Sequence, residues 1–195
     1  MNDANTLEIL KFTAEGIVKD AMFSPALLNH LPLFMFGDID ASSAVDHITK
    51  LLCRYYENSE LVVFTQCLGS TGEWASTAVV LKTADSAYVI QLYTKDCYRG
   101  NGLATRTLAD IMLEYANVSL TCRNDLVPFY EKLGFRNLGT CGSGRADNKI
   151  ASGTSKFLNM MHCGDGDAWL FTLKDCDFKF TLNGNVVNLL AGEKL

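Results

Sequence analysis

The chain has little that would direct it to a membrane, to nucleic acid or to an oxidising compartment. No stretch of its 195 residues approaches the ~20 consecutive apolar residues of a membrane span. The most apolar region near the start, Ala26 to Phe36, is broken by Asn29, His30 and Pro32. Met1-Asn2-Asp3 lacks the basic segment that opens a secretory signal. Clustered positive charge is missing as well. A formal net charge of −5 argues against general nucleic-acid binding, which needs grouped Lys and Arg to neutralise phosphates. It weakly favours a cationic ligand such as an amine. The seven cysteines, at 53, 67, 97, 122, 141, 163 and 176, are odd in number and never spaced Cys-x-x-Cys. Neither a disulfide framework nor a zinc ribbon is expected, and the thiols read as reduced small hydrophobes. There is no repeat, low-complexity run or interdomain linker. These absences describe a soluble, cytoplasmic, metal-free domain long enough to bury a core.

What is present is a sequence of short elements. Leu7, Leu10, Ala14, Ile17, Val18 and Ala21 would share a helix face, although Leu7 to Phe12 also reads as a strand and Gly16 interrupts. Residues 24–40 carry two prolines and many large apolar side chains, as in a partly buried loop or short helix. A helix is expected over 43–56, with Ala44, Val45, Ile48, Leu51, Leu52 and Tyr55 inward and Ser42 or Ser43 capping it. Strands follow at Leu61–Leu68, Trp74–Lys82 and Ala87–Thr94, joined by turn sequences into an antiparallel meander. Next come a helix from Gly102 to Tyr115, a strand at Val118–Cys122, a short helix at Val127–Leu133 with Pro128 in its first turn, and a strand at Phe135–Leu138. Beyond Gly139 lie a glycine-rich loop (142–153) and strand candidates at Lys156–His162, Ala168–Leu173, Phe178–Leu182 and Val186–Leu190. Asn183-Gly184 marks a hairpin between the last two. Strands followed by helix–strand–helix–strand indicate a mixed α/β (α+β) sheet with helices on its faces.

The segment Gln91-Leu92-Tyr93-Thr94-Lys95-Asp96-Cys97-Tyr98-Arg99-Gly100-Asn101-Gly102-Leu103-Ala104-Thr105 carries the chemistry. A strand enters a glycine-bearing turn that opens a helix. Unpaired N–H groups and the helix dipole favour an anion there, and glycines let the backbone approach it. Arg99 adds a charged donor. Together these make a pyrophosphate cradle, although Gly-x-Gly alone also describes a plain strand-to-helix turn.

Arg99-Gly100-Asn101-Gly102-Leu103-Ala104 resembles the Arg/Gln-x-x-Gly-x-Gly/Ala signature of the GNAT superfamily of N-acetyltransferases. A second block, Asn124-Asp125-Leu126-Val127-Pro128-Phe129-Tyr130 through Gly134-Phe135, resembles the family's closing motif, with its asparagine one residue closer to the tyrosine than is commonest. The likeness covers about residues 60–139 and is specific over 87–135. Lys95 stands where many members have proline.

The resemblance implies a mostly antiparallel central sheet flanked by helices, with a C-terminal β-hairpin extension. It divides the chain into an acetyl-CoA-binding core over 1–140 (signature region 87–135) and a segment over 141–195 holding the glycine-rich loop, a last core strand and the hairpin. It implies acetyl-CoA as co-substrate without a metal. The pyrophosphate would lie on Arg99, Gly100, Asn101, Gly102, Leu103, Ala104 and Thr105, and the pantetheine arm along Leu92, Tyr93 and Thr94. Asn124 would bond the arm or cap the next helix. Tyr130 would act as general acid to the departing thiolate, against the alternative of a core aromatic. A primary amine on a small molecule or protein would attack directly. Glu73, Asp38, Asp40 and Glu60 are conceivable bases, Glu73 foremost because it precedes a central strand, but each reads better as a surface carboxylate. A homodimer is compatible with the family. The rival reading is a catalytically silent CoA-binding module acting through the C-terminal extension. Cys97 and Cys122 invite an acyl-cysteine, but no activating base adjoins either. His162-Cys163-Gly164-Asp165-Gly166-Asp167 has metal-capable side chains at no trusted spacing and reads better as a turn.

Overall fold

The computed structural model describes residues 3–22, 41–68, 73–140, 158–168, 179–182 and 185–188. The expectations for 24–40, for the 142–153 loop and for a strand at 168–173 fall wholly or almost wholly outside them.

The ambiguous N-terminus is a helix, α1 (Asp3–Met22), running straight through Gly16. Leu10, Ala14 and Val18 face inward as expected, but the buried face extends over Thr6, Ile9 and Thr13 in place of Leu7. Thr6, Ile9, Leu10, Thr13, Ala14 and Val18 are buried while Leu7 is 53% exposed. Two threonines take core positions, which an apolar count misses. The hydroxyl of Thr13 is satisfied by the Ile9 carbonyl at 2.9 Å or the Gln91 side-chain oxygen at 2.6 Å, so its burial carries no unpaired group. Helix α2 (Ala41–Glu57) buries Ala44, Ile48, Leu51 and Leu52. It starts earlier than expected, so Ser42 and Ser43 lie in its first turn rather than at its cap.

The strands β1 (Leu61–Cys67), β2 (Trp74–Lys82) and β3 (Ser86–Thr94) form the expected antiparallel meander. Helix α3 (Leu103–Glu114), strand β4 (Asn117–Arg123), the short helix α4 (Val127–Glu131) and strands β5 (Arg136–Thr140) and β6 (Leu158–Cys163) follow. The sheet has six strands in the order β1-β2-β3-β4-β6-β5, and only the β3–β4 pair is parallel. One apolar cluster fills the α1/α2 face, with Leu61, Val63, Val79 and Leu81 from the sheet. A second fills the α3/α4 face, with Ala78, Val80, Val89, Leu120 and Met161. The architecture is therefore the mixed, mostly antiparallel sheet between helices that the sequence led us to expect. Strands β7 (Lys179–Leu182) and β8 (Asn185–Asn188) pair antiparallel as a separate two-stranded sheet, the C-terminal hairpin.

Candidate coenzyme and acyl-transfer site

The site begins with a strand that is paired on one edge along its whole length and on the other along only half. β3 pairs with β2 from Ala87↔Lys82 to Thr94↔Ser76, with a register slip at Ile90. Its parallel ladder with β4 runs from Ser86↔Asn117 to Val89↔Leu120 and stops. From Ile90 onward the two strands share no ladder, which leaves a gap between them. The Lys95 N–H donates to the Ala75 carbonyl at 2.9 Å. By antiparallel alternation, Tyr93 then exchanges its backbone bonds with Thr77 on β2. Leu92 and Thr94 consequently turn their own N–H and C=O groups toward the gap. Tyr93 does not; its ring lies against Phe12 and Trp74 on the α1 face, with centroids 4.5 and 6.2 Å away.

Beyond Thr94 the chain makes a 3-10 turn, Asp96–Tyr98, and then enters α3. Gly102 is the N-cap, with φ 71°, a left-handed conformation that favours glycine. Its carbonyl accepts the first helical bond, from the Arg106 N–H at 3.0 Å. The N–H groups of Leu103, Ala104 and Thr105 therefore lack helical partners, and no side chain caps them. The Asn101 side chain braces the turn by donating to the Tyr98 carbonyl at 3.1 Å. Arg99 is exposed and bonds to Asp96 at 2.8 Å. Beneath this turn the Thr107 hydroxyl donates to the Leu103 carbonyl at 3.0 Å or to Ser76 at 3.4 Å, and the Ser76 and Thr94 hydroxyls lie 2.9 Å apart. This buried polar chain ties the first turns of α3 to the ends of β2 and β3. Sequence reading missed Ser76 and Thr107; the available signal was a hydroxyl at an otherwise apolar position.

On the α3/α4 face, Tyr130 is 7% exposed, edge-on to Phe129 and Phe135 with centroids 5.0 and 5.7 Å away. It belongs to the same cluster as Leu92 and Cys122. Burial pushes its phenol well above the ordinary range, and the neighbouring Cys122 adds to the shift. Asn124 lies just past the end of β4. It is not a helix cap: α4 is capped at Leu126 without a side-chain bond. Instead its side-chain oxygen accepts from the amide of Asn159 on β6, which leaves the Asn124 –NH₂ as the available donor. Asn159 was also missed, because it lies 35 residues further along the chain and reaches Asn124 only through strand order.

Residues 56–150 match the family described as an acetyltransferase (GNAT) domain. The chain carries a GNAT domain. Among solved structures, a GNAT family acetyltransferase from Elizabethkingia anophelis with acetyl-CoA bound is 13% identical, over 59% of this chain and 82% of that one, at a TM-score of 0.44. The ribosomal-protein-S18-alanine N-acetyltransferase from Escherichia coli is 18% identical, over 62% and 81%, at 0.42. A spermidine N-acetyltransferase SpeG chimera from Vibrio cholerae is 14% identical, over 61% and 78%, at 0.45. Likeness of this degree says nothing about which amine the chain takes. No curated protein matches it.

The remaining titratable groups of this GNAT domain narrow its chemistry. Glu73 bonds to Lys95 at 2.6 Å, and the lysine also sits 4.2 Å from the centre of the Trp74 ring. Lys95 is pushed up chiefly by its hydrogen bond to Glu73, so the carboxylate is engaged by a firmly protonated amine. Glu60 adjoins the opposite end of the sheet, its carbonyl accepting from the Lys82 N–H at 2.9 Å. Seven residues of strand, roughly 20 Å, separate that end from Thr94. Asp38 and Asp40 lie outside the described residues. His162 is buried with both ring nitrogens engaged, Nδ1 by Ser119 and Nε2 by the Gly166 carbonyl, each at 3.0 Å. A carbonyl only accepts, so Nε2 carries a proton. Among the described residues no group of three metal-capable side chains comes together, and Cys53, Cys67, Cys97, Cys122 and Cys163 are free thiols. No helix among them is long and apolar enough to cross a membrane.

The buried phenol has a consequence at alkaline pH. An acid whose folded value lies above its unfolded one contributes stability below the unfolded value, about 10 for tyrosine, and loses it as pH rises further. Tyr130→Phe removes this contribution. Above pH ~10 the variant is expected to lose unfolding free energy less steeply than wild type, by up to ~1.4 kcal/mol per pH unit. Urea titrations at several alkaline pH values measure it, and parallel slopes would mean that Tyr130 ionises freely in the folded state.

Proposed function

We propose that this chain is an acetyl-CoA-dependent N-acetyltransferase that moves an acetyl group to a primary amine of a small molecule or protein by direct attack. The observation that carries the reading is the half-laddered β3, which ends in the left-handed glycine turn at the start of α3. A ligand arm laid along the free edge of β3 adds a strand to the sheet, taking hydrogen bonds from Leu92 and Thr94. At its far end the unpaired N–H groups of Leu103, Ala104 and Thr105 receive the pyrophosphate, and Gly100 and Gly102 keep the approach open. Arg99 leaves Asp96 to join it. The Asn124 amide, held by Asn159, donates to a carbonyl of the arm.

A backbone N–H on the free edge of β3 polarises the thioester carbonyl and bears the oxyanion that forms when the amine attacks. The carbon–sulfur bond then breaks, and Tyr130 protonates the departing thiolate. The raised phenol keeps its proton throughout the neutral range, so the donor is present in every molecule. The amine must reach the reaction already neutral or lose its proton through water, since Glu73 is held by Lys95. A cytoplasmic location and a homodimer belong to the same proposal, without a residue that compels either.

Calorimetry with acetyl-CoA tests the reading. Wild type should bind, and an Arg99→Glu, Gly102→Trp variant that remains folded by circular dichroism should lose binding by at least about a hundredfold, through charge reversal and a filled cradle. A folded wild type that binds no acetyl-CoA removes the coenzyme, and with it the function.

A further inference from the structure

A side-chain bond spans the floor of the β3–β4 gap. Where the parallel ladder ends, at Val89↔Leu120, the Tyr88 and Thr121 hydroxyls meet at 3.1 Å. Tyr88 stands opposite Ser119, so the bond reaches two residues along β4 and crosses the fork diagonally. Tyr88 is buried and Thr121 half-buried. Strand alternation puts both on the α1/α2 side, because Val89, Leu120 and Cys122 pack into the cluster on the opposite side.

Length decides what would lie against this bond. The arm of coenzyme A from pyrophosphate to sulfur has about twelve bonds, the same as four residues of backbone, or ~14 Å when extended. From Thr94 back to Ile90 is also four residues of β3, about 13 Å. The Thr107–Ser76–Thr94 contacts set the start of α3 beside Thr94, so an arm that starts there and follows the free edge brings its sulfur to about the level of Ile90, one residue short of the fork. An acyl chain extending from that sulfur meets the ladder ahead, the buried Val89 and Leu120 on one side, and the Tyr88–Thr121 pair on the other.

We propose that the Tyr88–Thr121 hydrogen bond is the end stop of the acyl site and restricts the donor to acetyl-CoA, excluding longer acyl thioesters. The inference rests on the coenzyme placement proposed above. It makes these two residues determinants of donor specificity.

Calorimetry with CoA, acetyl-CoA, butanoyl-CoA and hexanoyl-CoA tests it without knowledge of the amine. Wild type should bind acetyl-CoA at least about tenfold more tightly than hexanoyl-CoA, the least that an excluded methylene chain produces. Thr121→Ala, which shortens the side chain and breaks the bond, should bring the two within about threefold. Tyr88→Phe, which breaks the bond but keeps the ring, should give a smaller shift in the same direction, and Thr121→Ser should behave as wild type. CoA itself, lacking an acyl group, should bind wild type and all three variants alike. Equal binding of acetyl-CoA and hexanoyl-CoA by wild type overturns the end stop, whatever the variants do. Discrimination that survives in both Thr121→Ala and Tyr88→Phe assigns it to other residues. Failure of wild type to bind even CoA is a different result and sinks the coenzyme reading itself.

Discussion

Replacing Tyr130 by phenylalanine is expected to lower the rate of thiol release from acetyl-CoA by about 10²–10⁴-fold, the usual contribution of a positioned proton donor. The measurement uses whichever amine wild type acetylates best. The fold should not suffer. The ring sits edge-on between Phe129 and Phe135, and phenylalanine keeps that packing. Burial and Cys122 both hold the phenol in its neutral form, so no charge is lost from the ground state at pH 7. Binding of acetyl-CoA should change by less than about threefold, since a donor to the departing sulfur acts in the transition state rather than in the complex. The raised phenol is a weaker acid than an ordinary tyrosine. Its benefit is therefore a short hydrogen bond to charge growing on sulfur, in a site from which water is displaced. A variant that keeps full rate would make Tyr130 a packing residue and leave thiolate protonation to water. A variant that loses acetyl-CoA binding in proportion to rate would give it a binding role instead.

The sequence was most legible where local signals decide the outcome. β2 begins and ends at the expected residues, Trp74 and Lys82, because a short, mostly apolar and β-branched run bounded by turn residues leaves a strand few alternatives. The glycine turn opening α3 was readable for the same reason, although the left-handed backbone of Gly102 at the cap was not part of that reading. Legibility failed where a residue's role depends on a distant partner. The inner face of α1 was read only in part, because Thr13 is a core residue only by virtue of Ile9 and Gln91. Asn124 read as a ligand of the coenzyme arm or as a cap; the cap does not form, and its partner is Asn159, reached only because β6 inserts between β4 and β5. The gap itself has no local signature. It follows from the slip at Ile90 and the early end of the parallel ladder, and register is a property of pairs of strands rather than of either one.

The turn that follows β6 shows the same dependence and carries the largest expected effect on stability. Gly164 adopts φ +121°, and a Cβ there would come 2.4 Å from the Ala116 carbonyl oxygen and 3.0 Å from the Cα of Asn117. Both neighbours are backbone, so neither can move aside cheaply. The same turn is bound on every side: Arg136 donates to the Gly164 carbonyl at 2.8 Å, the Gly166 N–H donates to Asn117 at 2.7 Å, and His162 donates to the Gly166 carbonyl. These bonds fasten the end of β6 to the start of β4, the strand that forms one wall of the gap. Gly164→Ala should therefore destabilise the fold by roughly 3 kcal/mol, combining a strained backbone with a steric clash. Urea unfolding measures it, with Asp165→Ala, an exposed position in the same turn, as the reference near zero. A loss under about 0.5 kcal/mol, the range of ordinary surface substitutions, would mean that the turn can withdraw from Ala116 and Asn117 and does not hold β4 in place. Acetyl-CoA affinity of the folded Gly164→Ala protein separates the two levels of the argument. The turn lies at the end of β4 remote from Asn124, so a variant that is less stable but still binds the coenzyme is the expected outcome.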